Sequence, residues 1–157
     1  MKWSDILNET SHRSTVNWVR PDLQNLEMEY KYEYMLTSRR TWDKRCKTIG
    51  AVYPIFDSFE DFAEKISSAP IQIITPSTPI HNMTQFETMD DARKELARDV
   101  DRIIHGFDNG VKIPLPIIIK GNDGMWLLSG NTRSNLAFIH NVTLKAIVYD
   151  GSRHEVE

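Results

Sequence analysis

Residues 115–149 read Leu-Pro-Ile-Ile-Ile-Lys-Gly-Asn-Asp-Gly-Met-Trp-Leu-Leu-Ser-Gly-Asn-Thr-Arg-Ser-Asn-Leu-Ala-Phe-Ile-His-Asn-Val-Thr-Leu-Lys-Ala-Ile-Val-Tyr. The run Leu115 to Lys120 is apolar without alternation, which predicts a strand covered on both faces. Gly121-Asn122-Asp123-Gly124 predicts a hairpin into a second strand, Met125 to Leu128. Ser129-Gly130-Asn131-Thr132-Arg133 then opens a helix over Asn131 to His140, and Thr143 to Tyr149 reads as a closing strand. A strand that enters a glycine-containing turn at a helix start makes a place for an anion. The first helical amides lack partners within the helix, and the dipole favours negative charge there. Arg133 sits in that first turn, where the dipole alone prefers Asp or Glu. A bound phosphate would account for it; the plainer reading is an Asn131 cap with an exposed arginine.

Working outward, Ile71-Gln72-Ile73-Ile74-Thr75 is a strand stopped by Pro76, and residues 76–87 form a polar loop. Thr88 with Asp91 makes a capping box for a helix whose apolar face carries Ala92, Leu96, Val100, Ile103, Ile104 and Phe107. The order from about residue 70 is strand, helix, strand, strand, helix, strand, a mixed α+β domain over residues 68–157. Residues 1–67 read as a helical N-terminal extension. One helix covers Asp22 to Leu36, with Pro21 as a suitable starter and Leu23, Leu26, Tyr30 and Tyr34 at helical spacing. Another opens at Ser58, boxed with Asp61.

The 157 residues are 40% hydrophobic and 26% charged, ordinary values for a globular domain, and no run is long and apolar enough for a membrane helix. No signal-peptide core is visible at the N-terminus, so a cytoplasmic protein without a membrane partner is expected. The single cysteine, Cys46, excludes an internal disulfide and a cysteine-rich zinc site. A net charge of −3 speaks against a dedicated duplex-DNA binder but leaves room for a local basic patch.

The segment from Asp99 to Tyr149 resembles the ParB/sulfiredoxin-like superfamily. The resemblance rests on Pro116-Ile117-Ile118-Ile119, the short strand Met125 to Leu128, and Gly130-Asn131-Thr132-Arg133 followed by Leu136-Ala137. It implies a small mixed sheet with packed helices and a nucleotide or phosphate held by Ser129, Gly130, Asn131, Thr132 and Arg133. Family members include CTP hydrolases that clamp DNA, serine kinases, ATP-dependent sulfinic acid reductases and nucleases. A reductase would carry its cysteine in the turn, where this chain has Asn131-Thr132, so that chemistry is not expected. The sequence stops at Glu157 without a second nucleotide-binding segment or a helix-turn-helix, so centromere binding and DNA clamping are not expected either.

The leading expectation is nucleotide binding (CTP, ATP or ADP, with Mg²⁺ as companion) and NTP hydrolysis or phosphoryl transfer, whether as hydrolase or transferase. Such chemistry needs a residue to position the nucleophile. Glu87, which has no evident structural duty, and His81, in a Pro-Ile-His-Asn loop, are the candidates; Asp91 belongs to its capping box. A second expectation is a nucleic-acid-acting protein, such as a ParB-like nuclease. Arg39, Arg40, Lys44, Arg45 and Lys47 would grip the backbone and Trp42 would stack on a base, against the plainer reading of a solvated helix face with a buried tryptophan. A third is a non-enzymatic interaction module whose aromatic-rich N-terminal helices form a partner or homodimer surface.

Overall fold

The computed structural model describes residues 16–84, 86, 88–95 and 100–153. Its centre is a four-stranded mixed sheet in the order β2-β6-β4-β5: β2 Ile71–Ile74, β4 Ile117–Lys120, β5 Met125–Ser129 and β6 Leu144–Asp150. The β4 and β6 strands pair in parallel, and the outer strands β2 and β5 run antiparallel to their neighbours. Two further two-residue strands, β1 (Trp18–Val19) and β3 (Ile113–Pro114), pair in parallel beside it. The helices are α1 Leu23–Glu29, continued by a π-helical segment Tyr30–Met35, α2 Arg39–Ile49, α3 Phe59–Ser68, α4 Met89–Glu95, α5 Val100–Asp108 and α6 Asn131–Ile139. The class is α+β. Among the described residues no helix is long and apolar enough to cross a membrane.

Both faces of the central strand β4 are buried, as its unbroken apolar run predicts. Ile117 and Ile119 face one core with Ile147, Leu26, Trp42, Phe62 and Ile66. Ile118 faces the other with Leu127, Val148, Ala92, Phe107 and Leu136. The period-2 geometry of a strand sends neighbouring side chains to opposite layers. The N-terminal helices therefore supply one whole layer of the domain. The boundary expected at 67/68 is a change in element order, while the core runs across it.

Local rules explain most helix starts. Ser58 and Ser38 accept from the amides of Asp61 and Thr41, closing α3 and α2. Thr88 accepts from Asp91 N–H at 3.1 Å. Asp22, rather than Pro21, starts α1: its carboxylate accepts from Asn25 N–H at 2.8 Å. The carboxylate offers an acceptor that proline lacks, so the proline stands outside the helix. The hairpin turn seats on the end of α2, with Asp123 N–H and Asn122 N–H donating to the carbonyls of Ile49 and Gly50 at 2.8 and 3.0 Å. Gly50, at φ +71°, provides the left-handed exit that brings those carbonyls round.

Candidate functional site

The β5–α6 turn is built around Gly130. Its φ of +102° and a hypothetical Cβ 2.7 Å from the Pro116 side chain both demand glycine. Gly130 is the N-cap of α6, and no side chain caps the helix start. This sets α6 apart from α2 and α3, whose serine caps satisfy the equivalent amides. The uncapped end opens into a cleft of about 470 Å³. Ser129, Gly130, Asn131, Thr132 and Arg133 form one wall; Met28, Glu29, Tyr32 and Glu33, with Ile103, form the other. The five residues expected to form the phosphate cradle thus share one concave surface. A larger cleft of about 580 Å³ lies against Tyr34, Trp42, Tyr53 and Phe56 and includes Ser38, whose side chain caps α2.

The most consequential side chain here was not anticipated. Glu29, at the end of α1, turns its carboxylate onto the α6 start. It accepts the Ser129 Oγ–H hydrogen bond and stands 3.9 Å from Arg133 Nη2. Ser129 is buried and the Glu29 and Arg133 side chains are each 21% exposed, so water screens this group only in part. Arg133 has a second duty. Its Nε donates to Pro114 O at 2.7 Å and its Nη2 to Leu115 O at 3.4 Å, clamping the β3–β4 connection. Arg133, expected to hold a phosphate, is thus already engaged by two main-chain carbonyls and a carboxylate.

Asn131 is not the cap either. Its side chain accepts from Thr84 N–H at 2.9 Å and donates to Thr84 Oγ1 at 3.3 Å, tying the 81–84 loop to the helix start. Asn135 Nδ2 donates back to Asn131 O and Oδ1 at 2.7 and 2.9 Å. Thr132 is half-buried on the cleft wall.

His81 lies on the outer edge of β5 and is not among the cleft-lining residues. Its N–H donates to Met125 O, its carbonyl accepts from Leu127 N–H, and its ring stacks on Trp126 at 5.8 Å and 12°. Glu87 falls outside the described residues. Arg39, Arg40, Lys44 and Lys47 are exposed on α2 as a basic helix face. Trp42 is corrected as a base-stacking platform. It is 3% exposed, its indole N–H donates to Tyr34 O at 2.9 Å, and Tyr34 and Arg45 pack on its ring. The spacing of Trp42, Cys46 and Ile49 marks a core face, and all three are buried there. No group of three or more potential metal ligands occurs among the described residues.

No protein-family model, curated protein or solved structure significantly matches this chain.

Proposed function

We propose that the protein binds a phosphate-bearing ligand of the nucleotide class in the cleft at the start of α6. The observation that carries this reading is the seat of the Glu29 carboxylate. An oxyanion already lies against the Ser129 hydroxyl and faces Arg133, at a helix start that no side chain caps. A phosphate oxygen asks for the same donors as a carboxylate oxygen, with more charge to offer the dipole. A ligand phosphate takes the place of Glu29 when the glutamate turns toward solvent. The facing wall suits the rest of a nucleotide: Met28, Tyr32 and Ile103 present apolar and aromatic surface beside the polar turn. The likeness of Gly130 to Arg133 to the Gly-x-x-Arg turn of the ParB/sulfiredoxin-like proteins points the same way.

A magnesium ion accompanying a polyphosphate would find two carboxylates on this cleft, Glu29 and Glu33. Hydrolysis or phosphoryl transfer needs, besides binding, a group that activates a nucleophile. His81 is stacked on Trp126 outside the cleft, so binding is the part of the expectation that the geometry supports best.

Calorimetric titration with CTP, ATP, ADP and pyrophosphate, with and without Mg²⁺, tests the reading. Thr132→Glu is the informative variant: a carboxylate in the first turn suits the helix but repels phosphate. Wild-type binding at or below about 1 mM, weakened at least about tenfold by Thr132→Glu, is the expected result. No heat from wild type at about 5 mM ligand, on a scale where 1 mM is already weak, would end the proposal.

A further inference from the structure

The two edges of the central sheet are finished differently. Outside β5 the edge is covered. His81 N–H donates to Met125 O, and the His81 carbonyl accepts from Leu127 N–H, both at 2.9 Å; Asn82 Nδ2 donates to Leu127 O at 2.9 Å. Outside β2, no described residue makes a main-chain bridge. The register shows which groups are open there. Val148 N–H donates to Pro70 O at 3.0 Å, and Ile71 stands opposite Ile147. Antiparallel pairs alternate, so Gln72 and Ile74 turn their N–H and C=O toward β6, and those of Ile71 and Ile73 turn outward. The side chains alternate as well. Ile71 and Ile73, 42% and 65% exposed, share the face on which Ile147 packs. Gln72, also exposed, stands on the other face beside Ala146.

An open edge is ordinarily blunted by a lysine, a proline or a bulge within the strand. β2 carries none of these; Pro70 and Pro76 stand outside it, and its pairing with β6 is regular. Residues 66–80 contain no Asp, Glu, Lys or Arg, in a chain that is 26% charged. A partner chosen by charge finds nothing to hold here, and two copies of a −3 chain meet at this edge without local repulsion.

We infer that β2 pairs with β2 of a second copy of this chain, antiparallel about a two-fold axis through Gln72, so that the two sheets join into one. Two conditions select that register. The axis stands perpendicular to the sheet, so residues that oppose each other come from the same face. They must also both turn their main-chain groups outward. Ile71 and Ile73 of the second copy meet both conditions, and each pair exchanges N–H to C=O hydrogen bonds in both directions. An axis through Ile73 would set Ile71 against Thr75, whose carbonyl is already engaged by Thr78 N–H at 3.0 Å. On one face the seam then gathers Ile71 and Ile73 of both copies. On the other, the two Gln72 side chains stand directly opposite each other. A carboxamide both donates and accepts, so two glutamines across a two-fold axis satisfy one another. An unrelated strand would have to supply that amide and both isoleucines at the right spacing; a second copy supplies them by symmetry.

Sedimentation equilibrium of the full chain tests this. A monomer–dimer equilibrium, half dimeric at or below about 100 μM, is the expected result for wild type. Ile73→Lys puts an edge-blocking charge on the seam at an exposed position; it should weaken the dimer at least about tenfold and leave the melting temperature unchanged. Gln72→Glu and Gln72→Lys each set like charges opposite one another and should weaken it about fivefold. An equimolar mixture of those two variants should associate at least as tightly as wild type, which only a register with the two Gln72 positions opposed allows. Amide exchange at Ile71 and Ile73 should slow as the dimer fills, without a matching change at Gln72 and Ile74, whose N–H groups already face β6. β2 shares no residue with the cleft, so nucleotide titration reports on the other proposal separately. Wild type that stays monomeric at about 1 mM, a dimer indifferent to Ile73→Lys, or a mixture of the Gln72 variants no tighter than either alone would overturn the inference.

Discussion

Glu29 and Ser129, 100 positions apart in sequence, are joined by a hydrogen bond in which the serine hydroxyl donates to the carboxylate. The same carboxylate faces Arg133 at 3.9 Å. This link ties the end of α1 to the start of α6. Under the proposed function, Glu29 is then both a tether and a competitor of the phosphate.

Glu29→Gln separates those two roles. The amide oxygen still accepts from Ser129, but the negative charge is gone. Stability should fall by no more than about 1 kcal/mol, because the pair is partly solvated. Affinity for metal-free phosphate or nucleotide should rise about tenfold, since the ligand no longer displaces an anion. Calorimetry and thermal melting on the same preparation check both. A loss of phosphate affinity would mean that the carboxylate assists the ligand, through a cation, and does not compete with it.

The hairpin seat on α2 leaves no room at Gly121, where a Cβ would overlap the Ile49 carbonyl oxygen. Main-chain atoms on both sides are fixed by the Asp123–Ile49 and Gly121–Gly124 hydrogen bonds. Gly121→Ala should therefore destabilise by about 3 kcal/mol or more, the upper range for overpacking. Gly110→Ala is the comparison. Its φ is +68° but nothing lies within 4 Å of the added carbon. It should cost only about 1 kcal/mol of backbone strain. Urea denaturation of the two variants tests the contrast.

Those seats also show what could be read from the chain in advance. The apolar β4 run and the Gly121–Gly124 turn are local patterns, and local patterns specified the sheet's centre. The capping of α3 and α4 by Ser58 and Thr88 was legible for the same reason. The β1–β3 pair was not, because two-residue strands have no periodicity. The Glu29 contact crosses 100 residues, yet a trace of it was present: an acid three positions after the buried Leu26 sits at the edge of the helix's inward face. Trp42 carried the opposite signal. Its spacing to Cys46 and Ile49 outweighed the cations around it.

Asp61 gives the stability its clearest pH dependence. The Asp57 N–H, at 3.0 Å, and then the Lys65 ammonium, at 2.9 Å, hold its carboxyl below the ordinary aspartate value. A carboxyl whose folded pKa lies below its unfolded one stabilises above the unfolded value, about 3.9, and loses that contribution as pH falls through the folded one. The melting temperature of Asp61→Asn should trail wild type by about 2–4 °C at pH 7, for a difference near 1 kcal/mol. The gap should narrow below about pH 4. A gap that stays constant to pH 2.5 would place the effect in packing and not in charge.

Cys46 supplies the last prediction, because it links the core to the chemistry the chain can perform. Its thiol is fully buried between α2 and the sheet, and burial, with Asp43 nearby, pushes its pKa up to about 11. Thiol reagents attack the thiolate, so a buried, protonated thiol resists them. At pH 8 the native chain should take up no aromatic disulfide reagent over an hour, while the guanidinium-unfolded chain should react at its one cysteine. Cys46→Ser should cost about 1–3 kcal/mol by placing a hydroxyl in an apolar site. Rapid labelling of native protein would require α2 to leave the sheet, exposing Trp42 and Ile49 with it. A redox role needs an accessible, low-pKa sulfur, and this one is the reverse on both counts.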